Sequence, residues 1–366
     1  MKFSIQREAI LQPLSQVVGV VERRQTLPVL ANFLLVADSG QLAVTGTDME
    51  VELVATVKAD VAQSGEVTIP ARKLVDICRA LPDGANIEMI QEGDKVLLKA
   101  GRSRFTLSTL PATEFPATDN VETLETVSLK DSALKNLLDK TAFAMANQDV
   151  RYYLNGLLLD FHDGQLRAVA TDGHRLAVCD LDGDAKLNED RQIIVPRKGV
   201  LELSRMLNDN DDQVELAIGK NHVRLVKDAM TFTSKLIDGR FPDYGAVIPV
   251  GADKIMSLNR NDFIHALQRA AILSNEKYRG VRLEIDDGSM KIIAHNPQHE
   301  EAVEEISVKQ DFERLAVGFN VNYLLDALHA LDQQEVNMEL RDANSSCLLT
   351  NGESSHNRHV VMPLKL

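Results

Sequence analysis

Strand-like runs of apolar residues recur in three hairpin-like segments. They are LANFLLVADSGQLAVTGTD (residues 30–48), YLNGLLLDFHDGQLRAVATD (153–172) and RGVRLEIDDGSMKIIAHN (279–296). Each predicts two strands joined by a tight, glycine-containing turn. The turn glycines Gly40, Gly164 and Gly288 stand 124 residues apart in both steps. So do Asp48, Asp172 and Asn296, which close the second strand of each hairpin. Two anchors with one spacing mark an internal repeat.

Upstream of each hairpin the apolar period changes to that of a helix. Ile10, Leu14, Val17 and Val18 mark the first such helix, with Pro13 expected to interrupt and bend it. Leu134, Leu137, Leu138, Thr141 and Ala142 mark the second, and Phe263, Leu267, Ala270 and Ala271 the third. Downstream, VTIPARKLVDICRALPD, IIVPRKGVLELSRMLND and VGFNVNYLLDALHALD each predict a strand and then a second helix. Pro70, Pro196 and Asn320 stand at equivalent helix starts. RSRFTLSTL (102–110), AMTFTSKLI (229–237) and HVVMPLKL (359–366) predict a closing strand for each repeat. The linkers ATEFPA and DGRFPDY follow the first two, and 57–66 and 182–191 read as polar loops.

The predicted class is therefore α+β, with three repeats bounded at 1–120, 121–249 and 250–366, each of two helices packed on antiparallel sheets.

Composition narrows the function. Aromatics are 4% and Trp is absent, which argues against a groove that stacks sugars or single-stranded bases on rings. Cys78, Cys179 and Cys347 are far apart and show no metal-ligand spacing, so neither a disulfide framework nor a zinc site is expected. No secretory signal or membrane span is predicted, and a reducing cytoplasm is the simplest compartment. The net charge of −14 taken alone speaks against a protein that grips nucleic acid by bulk electrostatics.

Catalysis finds little support. Thr171-Asp172-Gly173-His174-Arg175 offers an acid, a base and a cation together. Yet Asp172 aligns with Asp48 and Asn296, where no His follows, and reads as a strand-end turn residue. No nucleotide-binding or hydrolase motif occurs. Pro297 between His295 and His299 argues against one helical face holding a metal. No catalytic residue, cofactor or metal is expected.

The chain resembles the beta sliding clamp family of bacterial DNA polymerase III along its whole length. The stretches that carry the resemblance are TLPVLANFLL, GRSRFTLSTLPATEFP, QDVRYYLNG, ATDGHRLAVC, VPRKGVLELSRML, FTSKLIDGRFPDY, RAAILSNEKYRGVRL and VVMPLKL. The resemblance implies three clamp domains per subunit and two subunits joined head to tail in a ring around duplex DNA. The link to DNA would be topological, so the negative charge ceases to be an objection: sliding needs only a weakly basic inner wall. Arg72, Lys73 and Arg79 on one second helix and Arg197, Lys198 and Arg205 on another suit that wall, whereas the third offers only His329. A plain solvated helix face explains the same cations.

By resemblance, the DNA-contact positions are Arg24, Gln148, Tyr152, Tyr153, Arg197, Lys198, Arg205, Lys235 and Arg240. For the tyrosines, strand packing is the plain alternative. A cleft for short peptides with apolar anchors, from the replicative polymerase, the clamp loader, other polymerases and repair proteins, is implied at a second set. It comprises Leu154, Thr171, Gly173, His174, Arg175, Leu176, Pro242, Val247, Asn320, Tyr323, Ser346, Val360, Val361, Met362, Pro363 and Leu364. Gly245 and Ala246 stand where familiar members carry basic residues, and Tyr278 where they carry phenylalanine. The cleft is expected to survive with altered affinity.

The homodimer seam implied by resemblance has an apolar patch of Phe105, Leu107, Ile272 and Leu273. Its basic side is Lys73, Arg102 and Arg104, and its acidic side Glu300, Glu301 and Glu304. Exposed ion pairs are weak, so the apolar patch is expected to supply most of the affinity. Gln298 and Val303 replace acids of some relatives, which predicts a less salt-sensitive seam. The rival to a clamp is a repeat scaffold that binds peptides without encircling DNA.

Overall fold

The computed structural model describes residues 1–22, 27–116, 122–181, 185–352 and 356–365. All three hairpins form: Asn32–Asp38 with Gln41–Thr47, Gly156–His162 with Gln165–Thr171, and Gly280–Asp286 with Ser289–His295. Their turns are one device. Both central residues have positive φ: 49° and 78° at Ser39 and Gly40, 52° and 77° at Asp163 and Gly164, 43° and 76° at Asp287 and Gly288. Such primed turns match the twist of the flanking strands, and the second position takes glycine because it lacks a Cβ.

The anchor at the end of each hairpin is also shared. Asp48 Oδ1 accepts from the amides of Glu50 and Val51, and Asp172 Oδ1 from those of His174 and Arg175. Asn296 Oδ1 accepts from Gln298 and Glu300, one residue later in the second bond. Asp172 is thus a turn-former, as its repeat position predicted.

Six α-helices occur among the described residues: α1 (Arg7–Val17), α2 (Ala71–Ala80), α3 (Asp131–Asp139), α4 (Arg197–Met206), α5 (Arg260–Ala271) and α6 (Val321–Ala330). On α2 the buried face is Ala71, Leu74, Val75 and Cys78, leaving Arg72, Lys73 and Arg79 exposed. The side chain of Asn320 caps α6 by accepting from the amides of Asn322 and Tyr323. Two helix expectations need correction. α1 continues through Pro13, which is buried rather than a break. α3 stops at Asp139, because the Thr141 hydroxyl turns back to the Leu137 carbonyl and a 3₁₀ turn follows at Ala142–Ala144. The expected loop 57–66 is likewise mostly strand. Asp60–Gln63 pairs with Lys2–Gln6 at a sheet edge, where one wet face permits its polar composition.

Six strands govern how the repeats join: β1 (Val51–Lys58), β2 (Ser103–Ser108), β3 (Arg175–Asp180), β4 (Met230–Lys235), β5 (Glu301–Lys309) and β6 (Asn357–Val361). Each repeat contributes one strand that follows its hairpin (β1, β3, β5) and one that closes it (β2, β4, β6). The closing strand of the second repeat, β4, pairs with β1, from Met230 opposite Ala55 to Ser234 opposite Val51. The closing strand of the third, β6, pairs with β3 in the equivalent register, from Asn357 opposite Cys179 to Val361 opposite Arg175.

This pairing divides the chain into two compact units, Met1–Asp131 with Leu201–Leu236, and Ser132–Val200 with Ile237–Leu366. The first holds a five-stranded and an eight-stranded sheet, the second a twelve-stranded sheet. The middle repeat contributes one sheet half to each unit, because its hydrogen bonding continues into its neighbours. Within the second unit one core gathers Phe263, Leu267, Phe319, Leu324 and Val361. A second core joins Leu154, Leu158, Val169, Leu176, Phe241 and Val360. No described helix is long and apolar enough to cross a membrane.

Candidate peptide cleft and associated surfaces

Arg175 is the hub of the candidate cleft. It lies on β3, and its Nε donates to Asp172 Oδ2 at 3.1 Å and its Nη2 to the Phe143 carbonyl at 2.8 Å. Its Nη1 pairs with Asp326 on α6. The guanidinium centre stands 4.6 Å from the Tyr323 ring centroid and 5.3 Å from that of Phe143. The His174 and Tyr323 rings stack at 6.4 Å. A planar cation between rings and carboxylates is the environment to which arginine is suited.

Neighbouring positions are tied to that hub. The Thr171 hydroxyl donates to the Arg175 carbonyl at 2.6 Å and accepts from the Gly173 amide at 3.1 Å. Gly173 has φ +87°, and a Cβ there would sit 2.9 Å from the Arg151 guanidinium, so this position requires glycine. The Met362 amide donates to the His174 carbonyl at 3.0 Å, and the Leu364 amide to that of Gly318 at 2.8 Å. Leu154, Leu176 and Val360 share one apolar core, while Val361 faces the other. Pro242 and Val247 are exposed on the linker, whose Phe241, Tyr244 and Ile248 pack into the core of Leu154. Ser346 is half-buried beside Cys347, and Pro363 is half-buried in the tail.

The surrounding loop is built by Asp149 and Arg151. Arg151 Nε and Nη2 donate to the two Asp149 carboxylate oxygens at 3.0 and 2.8 Å. That clamp holds the Asp149 carboxyl down at about 2. Arg151 Nη2 also reaches the Asp172 carbonyl at 3.2 Å, joining the loop to the cleft.

Among the DNA-contact positions, Arg24 lies outside the described residues. Gln148 is exposed with φ +57°, and Tyr152 is exposed edge-on to Tyr153 at 5.7 Å. A Cβ on Gly239 would stand 3.3 Å from the Tyr152 ring, which puts exposed Arg240 in the same neighbourhood. Arg197 is partly engaged, donating to the Met145 carbonyl at 3.0 Å. Arg205 forms an ion pair with the buried carboxylate of Glu202, so part of its charge is offset. Lys198 and Lys235 are half-buried.

The seam positions sit on two strand edges. In the first unit, β2 pairs only with Lys95–Ala100 among the described residues, and its second edge carries no strand. Arg102, Arg104 and Lys73 are exposed and Phe105 is half-buried. Leu107 is already buried within the chain's own core. In the second unit, β5 pairs with Ser289–His295 along one side, and among the described residues its other side is met only at Val308 and Lys309. Ile272 is 77% exposed and Leu273 half-buried. Glu304 pairs with Arg269, which lowers the Glu304 carboxyl; Glu300 accepts from Asn296, and Glu301 faces His295.

These arrangements position and bind. Both oxygens of Asp172 are taken up by the turn and Arg175. His162, Asp163 and Asp190 bring three metal-type ligand atoms within 4.8 Å, all exposed at a hairpin tip. Asp190 there already accepts from the Asp163 amide at 3.2 Å and lies 2.6 Å from His162 Nδ1.

Family models for the DNA polymerase III beta subunit match in three consecutive pieces. The N-terminal domain model covers residues 1–119, the central domain 128–243 and the C-terminal domain 245–365. The beta sliding clamp of Pseudomonas aeruginosa is 53% identical over 367 residues, and that of Pseudomonas putida 52%, each covering all of both chains. The solved sliding clamp of Pseudomonas aeruginosa bound to griselimycin superposes with a TM-score of 0.94 at 52% identity, again over all of both chains.

The chain belongs to the beta sliding clamp family. Its function is that of a DNA sliding clamp, a non-catalytic processivity factor of DNA polymerase III. The repeats of the sequence are therefore three clamp domains, mixed in helix and antiparallel sheet. Phe143, Arg151 and Asp326, which contact the candidate cleft residues, escaped sequence reasoning. Their partners lie far along the chain, and no local motif announces such contacts.

Proposed function

We propose that two copies of this chain close head to tail into a ring around duplex DNA, with β2 of one copy pairing with β5 of the other. The observation that carries this reading is the repeated junction. Closing strands pair with post-hairpin strands twice within the chain, β4 on β1 and β6 on β3. Of the remaining members, β2 lies at the edge of its sheet, and the far side of β5 is unpaired before Val308 among the described residues. An open edge is a template for another strand, and a heterologous contact repeated with closure makes a ring. Carrying the register of the two internal junctions across sets Ser103 opposite Glu304, Phe105 opposite Ala302 and Leu107 opposite Glu300. Arg104 then falls opposite Val303 and diagonal to Glu301 and Glu305, within reach for ion pairing.

In this reading, Gln148, Tyr152, Tyr153, Arg197, Lys198, Arg205, Lys235 and Arg240 touch passing phosphates, with Arg24 in the same role. The contacts are few and weak, so the ring slides. The cleft around Arg175 receives short apolar-anchored peptides of the replicative polymerase, the clamp loader and other clamp-binding proteins, and griselimycin takes the same cleft. The domain boundaries lie near residues 120 and 249, and the protein works in the cytoplasm. Retention on closed circular DNA, lost on linearisation, tests the ring against a scaffold that binds peptides alone.

A further inference from the structure

The linker that carries Pro242 and Val247 makes no strand between Lys235 and Lys254. It has one short 3₁₀ turn at Gly245–Val247, and the Val247 amide donates to the Tyr244 carbonyl at 3.1 Å. Backbone bonds tie only its start, where the Ile237 amide donates to the Ile194 carbonyl at 2.9 Å, so beyond Ile237 its place on the sheet is set by side chains. Phe241 and Ile248 pack downward, but apolar contact is non-directional. Tyr244 adds direction. Its hydroxyl donates to Asp160 Oδ2 at 2.6 Å, and Arg167 lies 5.9 Å from its ring centroid.

The groups that hold Tyr244 are themselves fixed by strand register. Asp160 stands opposite Arg167, and Arg167 opposite Asp180. Arg167 pairs with Asp180, which also receives Arg358 Nη2 at 2.7 Å. Arg358 lies on β6, two residues before Val360 of the cleft. The brace thus runs from the linker across three strands to the strand that lines the cleft. The acceptor and cation around Tyr244 are built in, and the half-buried phenol is held in its neutral form by burial and by Asp160.

We propose that Tyr244, clasped by Asp160 and Arg167, is a positioning residue that holds the linker wall of the peptide cleft, Pro242 and Val247, in its binding-ready place. This rests on the cleft reading above. Gly245 and Ala246 present no long side chains of their own, so the clasp carries the orientation of the wall. A pre-placed wall spares the ligand the entropy of ordering it.

The experiment measures griselimycin affinity by calorimetry on the full-length dimer. The variants are Tyr244→Phe, Asp160→Ala, Asp160→Asn and the Tyr244→Phe/Asp160→Ala double. Tyr244→Phe and Asp160→Ala should each weaken binding about three- to tenfold, the size of one typical net hydrogen bond. The double variant should be no weaker than either single, because both remove one bond. Asp160→Asn, which keeps an acceptor oxygen, should restore affinity to near that of the unaltered chain. Sedimentation mass should stay unchanged throughout, separating this effect from loss of fold. Equal affinity for Tyr244→Phe and the unaltered chain overturns the clasp, as do losses that multiply in the double variant. Failure of the unaltered chain to bind griselimycin overturns the cleft reading, and the clasp with it.

Discussion

The guanidinium of Arg175 lies 4.6 Å from the centre of the Tyr323 ring, with Asp326, one turn further along α6, bound to the same arginine. One side chain thus ties β3 to the helix that follows β5. Arg175→Lys keeps the charge but loses the planar fork and the bond to the Phe143 carbonyl. It should destabilise the fold by about 1–3 kcal/mol and weaken griselimycin binding in parallel. Thermal melting and calorimetry check both, and a lysine variant equal to the parent in both would remove Arg175 as the hub.

His359 gives a pH-dependent prediction. It is buried on β6, 5.6 Å from the Phe143 ring, and neither ring nitrogen has a hydrogen-bond partner among the described residues. Burial, aided by Lys140, pushes its imidazole down to about 3. The unfolded chain binds this proton more readily than the folded one, so the contribution to stability is present above the ordinary histidine range. It is lost as pH falls from about 6.5 toward 3, at about 1.4 kcal/mol per pH unit. His359→Phe should flatten the melting temperature between pH 6.5 and 4 relative to the unaltered chain. Parallel curves for the two proteins would show that His359 does not titrate as the fold requires.

Much of the architecture was legible because it is local. The primed turns at Ser39-Gly40, Asp163-Gly164 and Asp287-Gly288 are dictated by adjacent residues, and the Asp48, Asp172 and Asn296 anchors reach only a few residues. The end of α3 was misplaced because Thr141 and Ala142 continue the apolar period while a hydroxyl terminates the helix. Sheet pairing between repeats was invisible: β4 and β1 carry no more signal for each other than for any other strand. The same holds for Tyr244 with Asp160, 84 residues apart, and Arg175 with Asp326, 151 apart. The candidate site residues were accessible only through resemblance, and of the groups that orient them Phe143, Asp160 and Asp326 lay outside the stretches that carry it.

At the proposed seam, Ile272 is 77% exposed and Leu107 is already buried. The apolar gain on dimerisation should therefore come largely from Ile272, Leu273 and Phe105. Ile272→Ala with Leu273→Ala should convert the dimer to a monomer in analytical ultracentrifugation. Because Glu304 is occupied by Arg269 within the chain, raising salt alone should shift the equilibrium far less than this double substitution. A dimer of unchanged mass would refute the interface.

The tail offers a separable test of the cleft. The amides of Met362 and Leu364 bond to His174 and Gly318, whereas Val361 and the strand before it are part of the core. Removing residues 362–366 should abolish griselimycin and polymerase-peptide binding while dimer mass and DNA retention persist. Retained peptide affinity would move the cleft elsewhere.

The most direct measurement concerns topology. The protein is loaded by a clamp loader onto a nicked circular plasmid, the complex is washed in high salt, and the circle is then cut. A ring that encircles the duplex stays through the wash and falls off once an end is available, because nothing but the closed path holds it. Equal retention on the circular and linear forms would contradict the encircling ring.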